Sequence, residues 1–261
     1  FLGKDRIVKA LRSLSSKKLY PEIAKPSKIN AEVLRNLKKK GLDPAGLVSG
    51  EPTLFGKFIE SRSKNRLYKR LATKDEFKKF KNTYGPDYTY EDYNNMLKNN
   101  IFGEGKINYR IGERILGPDN TSAFGGYNPK TNEIILASRR NPPELGTTIV
   151  HETMHKMHSA VTDKYTSPAY KSLEKLLKGH TKPGTSEFMM TAVGSPTETL
   201  ARTGQLKSKG IVQSISESLG VPTKARGELE ELYSKKFIDS LINKYWAAAP
   251  VGLGLDEDLF K

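Results

Sequence analysis

The reading turns on one stretch, Thr147 to His158, TTIVHETMHKMH. It places His151, Glu152 and His155 in the spacing H-E-x-x-H. On a helix, positions i and i+4 stand one above the other on the same face, so both imidazoles can reach one metal ion. Glu152 directly follows the first histidine and can lean over the ion's open position, where it takes a proton from water. Imidazole is a good ligand for zinc, and a catalytic zinc site needs three protein ligands beside its water. The chain has only four histidines, and shuffling its composition yields the pattern in about one chain in two hundred. Ile149, Val150, Met154 and Met157 give the segment an apolar face, as expected of a helix half-sunk in a core.

Outward from this stretch, Asn141-Pro142-Pro143-Glu144 starts the helix, with proline where its missing N–H does no harm. Before it, KINYRI (106–111) and the residues around Ile115-Leu116 alternate like strands. AFGGY (123–127) and EIILAS (133–138) predict two strands joined by the turn NPKTN (128–132). After it come helices from Ser167-Pro168 to Gly179, over 186–193, over 195–206 with Ser195 as N-cap and Pro196 at N1, and over 209–219. A long helix is expected over about 224–248, with Leu229, Leu232, Tyr233, Phe237, Leu241, Ile242 and Trp246 as a core stripe. Together these predict an α+β fold, mainly helical, with a small antiparallel or mixed sheet packed on the H-E-x-x-H helix.

The stretch resembles the zinc helix of the zincin metallopeptidases, an apolar run followed by H-E-x-x-H and more apolar residues. The hairpin just before it is similar to that of the small gluzincins, in which the sheet's edge strand borders the cleft and pairs with extended peptide. Lys156 departs from the pattern, which has an uncharged side chain there, and is expected to snorkel to solvent. The resemblance implies a third zinc ligand from a glutamate on a later helix in an E-x-x-A context. Glu198 with Ala201 matches this, with Glu187 and then Asp163 as alternatives. Ser195-x-x-Glu198 is equally a capping box, in which the glutamate reaches back to its own helix start. The implied activity is zinc-dependent hydrolysis of peptide bonds, with Glu152 as the base. His180 is a candidate for stabilising the oxyanion, beside Tyr165, Tyr170 and Arg202. His158, at i+7 from His151, lies about 10 Å along the axis and cannot join the same ion. It is expected near the ligands, facing substrate or exposed.

Composition bounds the rest. At 261 residues the chain can build one large or two modest domains. The absence of cysteine excludes disulfides and thiolate metal sites. No apolar run approaches the ~20 residues that span a bilayer, and no signal peptide is visible. The net charge of +15 is uneven: residues 1–81 hold 22 Lys and Arg against 8 Asp and Glu, a net +14, and the remainder carries +1. The first third reads as short helices with loops: apolar helical spacing from Leu2 to Leu14, the connector YPEIAKPSKIN, a helix from Asn30 to Gly41, and another opened by Thr73 and Glu76. Within it SRSKNRLYKR (61–70) interleaves Tyr68 with Arg62, Lys64, Arg66, Lys69 and Arg70. Such a basic arm suggests an acidic partner, nucleic acid or protein. The expected division is therefore a basic helical region over 1–84, a zincin-like domain over 85–248 and a tail over 249–261. The turn at 84–89 marks the boundary. A start at Phe1 rather than methionine fits a processed product or excised segment. The alternative function is a scaffold with little or no turnover, structural or nucleic-acid-associated, within a larger assembly such as a virus or phage particle.

Overall fold

The computed structural model describes residues 23–26, 31–41, 48–84, 86–103, 107–112, 114–116, 122–138, 142–161, 168–209 and 211–244. In chain order the elements are β1 (Ala24–Pro26), α1 (Ala31–Lys39), β2 (Ser49–Pro52), α2 (Leu54–Leu71), α3 (Lys74–Tyr84), α4 (Tyr90–Ile101), β3 (Ile107–Arg110), β4 (Ile115–Leu116), β5 (Ser122–Ala123), β6 (Gly125–Asn128) and β7 (Glu133–Ala137). Then come α5 (Pro142–Val161), α6 (Pro168–Gly179), α7 (Glu187–Ala192), α8 (Pro196–Lys207), α9 (Ile211–Ser218), α10 (Lys224–Leu232) and α11 (Lys235–Lys244). The fold is α+β and mainly helical, with a small mixed sheet. The segment 2–14, expected to be helical, and the tail over 249–261 lie outside the described residues.

Serine and threonine set most of the helix starts, because their side-chain oxygens satisfy amide groups that the first turn leaves unpaired. Thr53 accepts from Gly56 N at 3.1 Å and Thr73 from Glu76 N at 3.2 Å. Thr89 forms a reciprocal capping box with Asp92. Ser186, Ser195 and Thr223 cap α7, α8 and α10.

The chain divides into two units, neither continuous in sequence. The first comprises Phe1–Asn65 and Glu104–Thr153, the second Arg66–Gly103 and Met154–Lys261. The turn at 84–89 falls within the second unit. The division falls within α2 and within α5, each of which runs unbroken through it.

In the first unit a five-stranded sheet has the order β1-β2-β3-β7-β6. Its pairs are antiparallel except β3 with β7, which run parallel with Ile107 opposite Ile134 and Tyr109 opposite Leu136. The core joins Tyr109, Ile134 and Leu136 of the sheet to Leu145 and Ile149 of α5, with Ile59 of α2 against them. The sheet therefore packs on the H-E-x-x-H helix as the residues predicted. Strand β1 is a departure, since the connector YPEIAKPSKIN was expected to be irregular. Its three residues have no strand signature of their own, and pairing with β2 supplies their order.

In the second unit, Leu173, Leu177, Leu200, Leu206, Leu229, Leu232, Tyr233, Phe237 and Leu241 form one core. Each such side chain stabilises the unit by roughly 1.5–3 kcal/mol. An aromatic cluster of Phe77, Phe80 and Tyr93 joins α3 to α4, with ring centroids 4.9–5.4 Å apart. Tyr93 also donates its hydroxyl to Leu71 O at 2.7 Å. The expected helix over 224–248 is two helices. Tyr233 is extended at φ −126°, ψ 159°, and Ser234 caps α11 by accepting from Phe237 N at 3.2 Å. The apolar stripe conceals the break because residues on both sides of it face the same core. Trp246 lies outside the described residues. Among the described residues, no helix is long and apolar enough to cross a membrane.

Candidate metal centre

Helix α5 presents His151 and His155 half-buried, one turn apart, and Glu152 buried at 5 % exposure. Helix α8 brings Glu198 to His155. Its Oε1 lies 3.2 Å from His155 Nε2, and one ligand atom from each of His151, His155 and Glu198 lies within 4.8 Å of the others. Donors bound at about 2.0–2.1 Å to one tetrahedral ion stand about 3.3 Å apart. The His155–Glu198 spacing therefore already fits a shared ion. Two imidazoles and one carboxylate also make a donor set that such ions accept.

Close helix packing positions α8. A Cβ on Gly204 would fall 2.5 Å from Met154 Cγ and 2.8 Å from its Sδ, so glycine lets α8 lie directly against the second half of α5. The start of α8 is fixed by Ser195, which accepts from Glu198 N at 3.4 Å, and by Thr199, which donates to Val193 O at 3.2 Å. The capping serine thus engages Glu198 through its backbone. The Glu198 carboxylate is turned elsewhere, with Oε1 toward His155 and Oε2 accepting from Arg202 Nη1. Arg202 in turn donates its Nε to Glu228 Oε2 at 2.8 Å.

Glu152 meets the sheet. A Cβ on Gly125 would stand 2.9 Å from Glu152 Oε1 and 2.7 Å from Thr148 Cγ2. The edge strand β6 consequently runs against the acid side chain, which a larger residue at 125 would displace.

The remaining candidates are placed as follows. Glu187 is exposed in the first turn of α7 and is not in the three-residue group. Asp163 and Tyr165 lie outside the described residues, as does the side chain of Tyr170. His180 stacks on Phe237 with centroids 4.2 Å apart, and burial holds its pKa below the ordinary histidine value. His158 is buried at 3 % exposure rather than exposed, and Lys156 is buried at 6 % rather than reaching solvent. Both follow from α5 being enclosed on more of its circumference than the apolar stripe suggested. Along α2, Arg62, Lys69 and Arg70 are exposed, while Lys64 pairs with Glu60 at 2.7 Å and Arg66 is half-buried.

Arg202, a candidate for the oxyanion, donates to the Glu198 carboxylate, a pairing that the i, i+4 spacing of the two residues foreshadows. Glu228 went unnoticed, since nothing in the chain ties a glutamate 30 residues downstream to Glu198. Gly125, in the Gly125-Gly126 pair of a strand, and Gly204, alone inside a helical pattern, are the local signals that could have pointed to close packing here. Comparison of the chain with protein-family models, with curated proteins and with solved structures finds no match.

Proposed function

We propose that this chain is a zinc-dependent metallopeptidase in which His151, His155 and Glu198 hold the ion and Glu152 is the general base. The observation that carries the reading is the convergence, within 4.8 Å, of two imidazoles from α5, the helix that also bears Glu152, and the Glu198 carboxylate from α8. Zinc, when bound there, supplies a Lewis acid for the scissile carbonyl and a water with its pKa drawn toward ~7. Glu152 would accept a proton from the water whose oxygen bonds to the scissile carbonyl carbon, and would deliver that proton to the amine nitrogen as the C–N bond breaks. Strand β6, at the sheet's edge beside Glu152, offers main-chain N–H and C=O groups to an extended peptide. Pairing of that kind tolerates many sequences.

A scaffold that holds metal with little turnover takes its support from Lys156, a charge buried one residue from a ligand. A role for the α2 basic residues toward nucleic acid or an acidic protein rests on Arg62, Lys69 and Arg70, which are exposed on one helix. Cleavage of a quenched fluorescent peptide library, measured with wild type and Glu152→Gln and after chelation and zinc add-back, separates the peptidase from the scaffold. The peptidase reading expects Glu152→Gln to keep zinc and lose about 10²–10⁴ in rate. Zinc bound by both proteins with no turnover by either establishes the scaffold.

A further inference from the structure

The Glu198 carboxylate is held from behind. Arg202 donates to its Oε2 through Nη1, and the same nitrogen reaches the Glu198 main-chain oxygen at 3.3 Å. The other edge of the guanidinium, through Nε, donates to Glu228 Oε2 at 2.8 Å, and Glu228 Oε1 lies 3.6 Å from Lys224 Nζ. The Arg202 side chain is 11 % exposed, against 29 % for Glu198 and 26 % for Glu228. A half-buried arginine thus joins two carboxylates from α8 and α10, and only one of those carboxylates faces a histidine.

We propose that Arg202 and Glu228 are a positioning pair that presents Glu198 to the metal through Oε1 alone and sets the affinity of the centre for zinc. This rests on the metal-site reading above and names the residues that tune it. Glutamate has three side-chain torsions, and an unheld carboxylate has to be ordered when the ion binds. The planar guanidinium fork fixes it in advance, which a lysine cannot do with the same geometry. Arginine brings a penalty as well, because a cation beside a dication repels it. Glu228 cancels that charge while anchoring the guanidinium to α10, whose Leu229 and Leu232 are wholly buried. The two residues therefore act as a unit: Arg202 orients the ligand, and Glu228 keeps the orienting charge from opposing the metal.

The test is zinc affinity, read by competition with a chromophoric chelator, for wild type, Arg202→Met, Arg202→Lys, Glu228→Gln and the double variant Arg202→Met/Glu228→Gln. The visible spectrum of the cobalt(II)-substituted proteins reports ligand geometry independently of activity, and circular dichroism confirms folding. Arg202→Met is expected to weaken zinc binding about 10- to 100-fold with an altered cobalt spectrum, and Glu228→Gln about tenfold. Arg202→Lys is expected to fall between wild type and the methionine variant. The double variant should bind no more weakly than Arg202→Met alone, since the charge that Glu228 offsets has gone. Wild-type affinity in both single variants, or losses that simply multiply with unchanged cobalt spectra, overturns the proposal while leaving the metal site intact. Failure of wild type itself to bind zinc removes the metal-site reading and the positioning pair with it.

Discussion

The two ends of α8 each withdraw a cation and a carboxylate from water, and they do so to different effect. Near the N-terminus, Arg202 holds one oxygen of Glu198 while the other is turned to His155. At the C-terminus, Lys207 Nζ contacts both oxygens of Glu76, at 3.0 and 2.9 Å, and Lys79 adds a bond to Oε1 at 2.8 Å. The Lys207 and Glu76 side chains are 8 % and 10 % exposed. The first carboxylate is aimed at a histidine pair with metal-ligand spacing; the second has both oxygens on ammonium groups. An ion pair of the second kind acts as a staple between α8 and α3, whereas the first leaves Glu198 Oε1 turned to His155.

The comparison predicts a crossed pattern of defects. The largest effect belongs to Glu76→Ala, which leaves Lys207 buried without its main partner. It should cost about 3–5 kcal/mol in denaturant unfolding and leave the zinc affinity of the folded protein unchanged. Glu198→Ala should do the reverse, lowering zinc affinity on the order of 100-fold or more with apo stability moved by less than about 1 kcal/mol. If the two variants lose zinc and stability in the same proportion, the ends of α8 do not have separate roles.

Gly125→Ala sharpens the site side. The added methyl meets Thr148 and the Glu152 carboxyl, and on the proposed peptidase mechanism the displacement of Glu152 should lower kcat/KM about 10- to 100-fold. Zinc affinity should hold, because the closest neighbours of a Cβ at 125 include none of His151, His155 and Glu198. The staple side has a pH signature. Burial lowers the Lys207 pKa from the ordinary 10.5 to about 8, against the opposing pull of Glu76. Between these values the unfolded chain holds more protons than the folded one, so this residue's contribution to stability rises with pH across that window. Relative to Lys207→Met, wild type should gain about 1–2 kcal/mol between pH 7.5 and 10. A constant difference would show that the lysine is not desolvated.

The two regions also differed in legibility. H-E-x-x-H is a local pattern, and the apolar residues around it announced a helix with one buried face, so His151, Glu152 and His155 were read directly. Glu198 stands out by its E-x-x-A phrase, but nothing local distinguishes ligand from cap; in the fold Ser195 takes the Glu198 backbone amide and the carboxylate turns to His155. The hairpin β6–β7 was legible because alternation and turn residues agreed. Strands β1 and β2 were not, since AKP and SGEP are ordered by their neighbours rather than by their own side chains. The Lys207–Glu76 staple spans 131 positions in sequence, and no pattern of period 2 or 3.6 carries information over that distance. The break at Tyr233 was hidden because a serine cap costs the apolar stripe nothing.

The central claim is that His151, His155 and Glu198 form one metal centre, and X-ray absorption at the zinc edge of the reconstituted protein tests it most directly. The account predicts one zinc per chain, with two imidazole nitrogens and a carboxylate oxygen at about 2.0–2.2 Å in a four-coordinate shell, and loss of one imidazole contribution in His155→Ala. A shell of six oxygens without imidazole scattering, or a spectrum that His155→Ala leaves unchanged, would contradict it.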